Sequence, residues 1–248
     1  GKEPNKNNFA QSIGEIDWDE ETDVLIVGGG LAGQAAAATV ATEGNGAKAL
    51  LLEKGALVLG DGDSPFSAGR VLWTDDDHAE GFRQYLYELR GEMDNTPDAV
   101  LDAFAEGIHE NRTWLESLPG FQDGYIKATT HFHPGSGDTC YPEYAELPHG
   151  YNLGVLFFQD EKYDHVIKFV NSVFADNPNI THKLNAPLTA LIQDPESKAV
   201  LGGVYTYEGQ TVYVKANKGV IMCCGGFENN KQMRADYLSG ATARPVAA

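Results

Sequence analysis

Residues 23–53 hold the pattern that most restricts how this chain can fold. Val24-Leu25-Ile26-Val27 is a short apolar run, suited to a strand buried on both faces. Gly28, Gly30 and Gly33 follow at G-x-G-x-x-G spacing. Gly28 permits a tight turn, Gly30 lets a pyrophosphate approach the backbone, and Gly33 lets the next helix pack on the sheet. That helix is expected from about Leu31 to Thr42, because Ala35 to Ala38 are strong helix formers. Its N-terminal amides would face phosphate oxygens. A second apolar run, Ala49-Leu50-Leu51-Leu52, ends in Glu53, 20 positions after Gly33. An acid there can accept hydrogen bonds from the hydroxyls of a ribose. Strand, glycines, helix, strand and acid in this order predict a dinucleotide site.

The 248 residues are 42% hydrophobic, enough for one large domain or a domain with an insertion. A net charge of −18 repels polyanions and argues against a nucleic-acid partner. No apolar stretch has the length of a membrane span. Residues 1–22 are polar, carry no visible signal peptide and read as a flexible N-terminal arm. The cellular setting stays unassigned: the options are a bacterial cytoplasm or, if an export signal has been removed, the periplasm or cell surface. The three cysteines, Cys140, Cys223 and Cys224, contain no C-x-x-C pair. Cys223 and Cys224 are expected as small thiols at a buried strand end, in preference to a vicinal disulfide.

Beyond Glu53, residues 58–72 read as a loop bearing glycine and serine. Phe82, Tyr85, Leu86 and Leu89 have helical spacing. Another helix is expected from Thr96 as N-cap and Pro97 as first residue, carrying Val100, Leu101, Phe104, Ile108, Trp114 and Leu115. Residues 121–155 read as irregular. Asp164 to Phe174 reads as an amphipathic helix, and Leu184 to Ile192 and Ala199 to Val204 as strands. A β-hairpin is expected over 205–214, then a final buried strand from Lys218 to Met222. The hairpin ahead of a late parallel strand departs from the regular β-α-β repeats of nicotinamide dehydrogenases.

Four segments resemble the flavoprotein subunits of fumarate reductases and succinate dehydrogenases, a family that includes urocanate reductases and 3-ketosteroid dehydrogenases. They are Asp23–Gly33 with Glu53-Lys54, Gly62–Gly69, Trp114–Leu118, and Gly219–Asn230, which reads Gly-Val-Ile-Met-Cys-Cys-Gly-Gly-Phe-Glu-Asn-Asn. The resemblance implies an α/β, Rossmann-like FAD-binding domain: a parallel sheet with helices plus a β-hairpin meander, truncated before the capping domain. On this reading residues 1–22 are the arm and 23–235 are the first part of the FAD-binding domain. Residues 121–155 form a substrate-side loop, and 236–248 begin a linker to the missing capping domain.

The same resemblance implies FAD, held without a covalent bond because residues 58–72 contain no histidine. Gly28, Gly30, Leu31, Ala32 and Gly33 would hold the pyrophosphate, and Glu53 the ribose with Lys54 beside it. Gly62, Asp63, Ser64, Ser67, Ala68 and Gly69 would wrap the ribityl chain and flavin edge; Asp63 replaces the asparagine usual there. Cys224, Gly225 and Gly226 would approach the adenosine half. The implied reaction is hydride transfer to or from a C–C bond beside a carboxylate or carbonyl, with enoate reduction leading and ketosteroid dehydrogenation as the alternative. A silent FAD-binding module needing a partner chain is the reading from another class. Its implied partners are a small-molecule substrate, the C-terminal half of the enzyme, and an electron donor that the sequence does not name.

Catalytic roles stay unassigned by the motifs. Tyr141 and His133 are the candidates, from the segment His131 to Tyr144, whose tyrosine- and proline-rich stretch resembles a ketosteroid dehydrogenase loop. His131 and His133 would share one strand face and could ligate metal. Flavin hydride transfer needs no metal, so none is expected.

Overall fold

The computed structural model describes residues 16–92, 95–129, 146–227 and 229–237. These form two compact units, residues 68–166 and the remainder.

The first unit opens with β1 (Glu20–Val27), α1 (Leu31–Glu43) and β2 (Ala49–Leu52). Every residue of β2 is buried, as a parallel strand covered on both faces requires. Helix α1 buries Gly33, Gln34, Ala37 and Ala38, a stripe of mostly small residues at helical spacing.

The second unit holds β3 (Val71–Trp73), α2 (Ala79–Arg90), α3 (Asp98–Ser117), β4 (Ile126–Thr129) and β5 (Gly154–Phe158). The three strands form an antiparallel sheet in the order β3-β5-β4. The segment read as irregular over 121–155 therefore contains β4 and the first residues of β5. The runs Ile126-Lys127-Ala128-Thr129 and Gly154-Val155-Leu156 are too short to show a period without their partners. Phe82, Tyr85, Ala105, Ile108 and Leu153 make this unit's core. Helix α3 starts at Asp98, with Pro97 and not Thr96 in the capping position. Its Val100 and Phe104 are exposed, while Ala105, Ile108 and Leu115 face inward.

The first unit resumes at Ile167, within α4 (Val166–Phe174), followed by β6 (Ile180–Lys183), β7 (Leu188–Gln193), β8 (Val200–Tyr207), β9 (Gln210–Met222) and α5 (Lys231–Tyr237). Its sheet has the order β6-β2-β1-β9-β8-β7. Strands β6, β2, β1 and β9 are parallel, and β9, β8 and β7 form an antiparallel meander. β1 starts at Glu20, inside the segment read as an arm, because Glu20 to Thr22 pair with Val214 to Ala216. The expected hairpin strand and the final strand are one continuous β9. An irregularity between Thr22 and Val24 lets one strand serve both halves of the sheet. β6 carries no strand signal in the sequence, because Ile-Thr-His-Lys has little apolar content.

β6 and β8 lie four places apart, about 19 Å in a flat sheet. Yet Lys183 on β6 donates to the Tyr205 hydroxyl on β8. The meander has therefore curled over the parallel strands. The enclosed core joins Leu25, Val27, Leu50 and Leu52 to Tyr205, Val214 and Ala216. The end of β9 stays outside this core: Ile221 is 40% and Met222 51% exposed, against the expectation of burial.

Candidate functional site

β1 has β2 on one side and β9 on the other. Chain order reverses here, and ligands of open α/β sheets sit beyond the strand ends at such a point. The glycine turn lies at that edge. Gly28 adopts φ +106° and donates to the Leu52 carbonyl at 2.8 Å. A Cβ on Gly28 would collide with the Cys223 carbonyl. A Cβ on Gly33 would collide with the Gly28 carbonyl and touch Leu51 at 3.3 Å. Both glycines are thus required by close backbone approach.

Helix α1 starts at Leu31 behind Gly30, whose position offers no side-chain cap. The Leu31 amide donates instead to the Ser64 hydroxyl at 3.0 Å. An oxygen is therefore held at the positive end of the helix, where an anionic oxygen is favoured. Ser64 is reached through a loop that closes back on the glycine turn. A Cβ on Gly60 would lie 2.9 Å from the Gly29 carbonyl oxygen. Ala56 donates to Asp61 at 2.8 Å, fixing the loop's start.

Glu53 ends β2 and is 4% exposed. Its two carboxylate oxygens accept from the Gly29 and Gly55 amides, each at 2.7 Å. Two further lone-pair positions of the carboxylate exist by type, suited to hydroxyl donors. Lys54 beside it is exposed.

Gln34 was not singled out by the sequence. Its side chain is fully buried, and its amide donates to the Gly29 carbonyl at 2.8 Å and the Val58 carbonyl at 3.2 Å. It ties the glycine turn to the loop before Ser64. The available signal was one glutamine in an alanine-rich helix, immediately after Gly33.

The first unit thus gathers Gly28, Gly30, Leu31, Gly33, Glu53 and Ser64 around one turn. Ala32, Gly62, Asp63 and Ser67 are exposed nearby in sequence, and Ser67 donates to the Ser64 carbonyl at 2.8 Å. Cys224 lies 3.7 Å through its sulfur from the Val27 carbonyl, and Gly225 and Gly226 follow, both exposed. Cys224 is exposed and Cys223 only half-buried, a correction to the reading of both as core thiols. Ala68 and Gly69 belong to the second unit, where Gly69 packs on the His165 ring. Tyr141, His133, His131 and Cys140 lie outside the described residues.

The second unit has its own cavity of about 550 Å³, lined by Trp73, Thr74, Asp76, His109, Arg112 and Trp114 among others. It contains none of the residues gathered at the turn. No helix among the described residues is long and apolar enough to cross a membrane.

The arrangement at the turn fits one half of a dinucleotide: two glycines without room for a Cβ, a helix N-terminus and a buried carboxylate. Comparison with known proteins agrees. A family model described as FAD binding domain matches residues 23–247. A 3-oxosteroid 1-dehydrogenase of Comamonas testosteroni is 40% identical over 58 residues, covering 23% of this chain and 10% of that protein. The fold is similar to a 3-ketosteroid-Δ4-(5α)-dehydrogenase of Rhodococcus jostii RHA1, with TM-score 0.70 and 20% identity over 96% of this chain and 53% of that one. It is also similar to a flavocytochrome c3 fumarate reductase, with TM-score 0.62 and 22% identity over 89% of this chain and 36% of that one. The chain therefore spans about half or less of the length of these relatives. It belongs to the family described as FAD binding domain.

Proposed function

We propose that this chain is the FAD-binding part of an oxidoreductase acting on a CH–CH bond beside a carbonyl or carboxylate. The observation that carries the reading is the buried Glu53 carboxylate held 2.7 Å from the Gly29 amide, inside the glycine turn. Gly28, Gly30, Leu31, Ala32 and Gly33 would bind the pyrophosphate, and Glu53, with Lys54 beside it, the adenosine ribose. The loop from Gly62 through Asp63, Ser64, Ser67, Ala68 and Gly69 would follow the ribityl chain to the flavin edge. Cys224, Gly225 and Gly226 would line the adenosine side.

Bound flavin supplies hydride acceptance or donation. The described residues bind and orient it; the proton-transferring group is sought elsewhere, with Tyr141 and His133 as candidates. The likeness to two ketosteroid dehydrogenases supports the carbonyl-side reaction as a second reading beside enoate reduction.

Two assays on the purified protein separate these readings. Reduction of an enoate by reduced viologen supports the reductase direction. Oxidation of a 3-ketosteroid with an artificial electron acceptor supports the dehydrogenase direction. Flavin absorbance with neither turnover supports a binding module that needs a further polypeptide. Acid precipitation tests attachment, since non-covalent FAD is released to the supernatant. A preparation that takes up no FAD overturns the proposal.

A further inference from the structure

Cys223 and Cys224 are adjacent, and both are free thiols. The peptide bond between them is seated on Gly28. A Cβ built on Gly28 would meet Cys223 C at 2.7 Å and Cys224 N at 3.2 Å, and would overlap the Cys223 carbonyl oxygen. The Cys223 amide donates to the Val27 carbonyl at 2.7 Å, so the strand before the glycine turn fixes the pair's backbone. Adjacent Cα atoms are about 3.8 Å apart across a trans peptide. Disulfide-linked Cα atoms are normally about 4.4–6.8 Å apart. Closing a bridge between these two cysteines must therefore distort the peptide that lies on Gly28.

We propose that Cys223 and Cys224 form a redox pair whose closure to a vicinal disulfide weakens FAD binding at the glycine turn. The proposal rests on the assignment of Gly28 and its neighbours to FAD. The oxidant is a hydroperoxide. Cys224, the exposed thiol, attacks a peroxide oxygen as its thiolate; the O–O bond breaks, leaving a sulfenic acid and one water or alcohol after protonation. The Cys223 sulfur then attacks the Cys224 sulfur. The S–O bond breaks, and the departing hydroxide takes the Cys223 proton to leave as water. The two thiols lose two electrons and two protons, which the peroxide receives. Burial, with a smaller contribution from neighbouring Cys224, pushes the Cys223 thiol up from its ordinary value. The second step accordingly speeds up as pH rises.

The test is FAD titration of the purified protein, before and after hydrogen peroxide, with tryptic mapping of the unreduced sample. Both cysteines fall on the single peptide Gly219–Lys231, which excludes Cys140. The expected result is a loss of two hydrogens from that peptide, weaker FAD binding by about tenfold or more, and recovery with dithiothreitol. Cys223→Ser cannot close the bridge and keeps its FAD affinity through peroxide treatment. The proposal is overturned if wild-type protein closes the bridge with unchanged affinity. It is equally overturned if the peptide gains oxygen without losing two hydrogens, or if Cys223→Ser loses affinity as wild type does. Reduced protein that takes up no FAD overturns the cofactor assignment itself, a failure visible before peroxide is added.

Discussion

Lys183 and Tyr205 meet across the width of a sheet. The ammonium of Lys183 donates to the Tyr205 hydroxyl and lies 2.9 Å from the Glu20 carboxylate, which also accepts from that hydroxyl. Tyr205 is fully buried. Burial, and then the Glu20 carboxylate, drive its phenol far above the ordinary tyrosine value, so it stays a neutral donor. The triad fastens the curled meander to β1 and β6. Tyr205→Phe removes one hydroxyl and leaves Lys183 paired with Glu20, so unfolding experiments should show a loss of about 1 kcal/mol. Lys183→Met should cost more, because Glu20 then keeps only the phenol.

Gly33→Ala tests the seat of α1 on the sheet. The new methyl would strike the Gly28 carbonyl, which is backbone and cannot rotate aside. Denaturant titration should show a loss of about 1–3 kcal/mol, with FAD uptake lost in parallel. Gly107→Ala is the control, because its Cβ meets nothing within 4 Å.

Glu53→Ala strips two amides, those of Gly29 and Gly55, of their acceptor. Stability should fall by about 2–4 kcal/mol, the cost of leaving one buried and one half-buried donor unsatisfied. Glu53→Gln keeps one acceptor oxygen and should recover part of that stability. Calorimetry on both variants, with FAD titration, separates the structural contribution from the ribose contact.

His182 lies on β6 with its ring 6.5 Å from that of Phe174. Burial lowers its pKa, and the Glu53 charge opposes that shift only in part. Its pKa is thus lower folded than unfolded, and the unfolded chain binds the extra proton first. Stability is full above about pH 6.5 and declines as pH falls below it. His182→Gln should flatten that slope in thermal unfolding measured between about pH 5 and 7. An unchanged slope would assign the acid sensitivity to other groups.

The glycine turn was legible because its constraints are local in sequence. Gly28, Gly33 and Glu53 sit at fixed spacing, and each has one steric or hydrogen-bonding reason to be what it is. The β-α-β unit and the α/β class follow from the same short segment. Other features were hidden because their partners are distant. β3, β4 and β5 are recognisable only when paired with one another. Gln34 reads as an ordinary helix residue until Gly29 and Val58 surround its amide. Ser64 reads as a loop serine until its hydroxyl meets the Leu31 amide, 33 residues earlier.

By itself, then, the sequence determined the glycine turn, its helix and its terminal acid, because backbone clearance and local periodicity act within a few residues. Tertiary structure decided the rest. The curl of the meander, the continuity of β9 and the exposure of Cys224 depend on contacts between strands far apart in the chain. Long-range packing free energy chooses among locally equivalent strands, and no short window of sequence contains it.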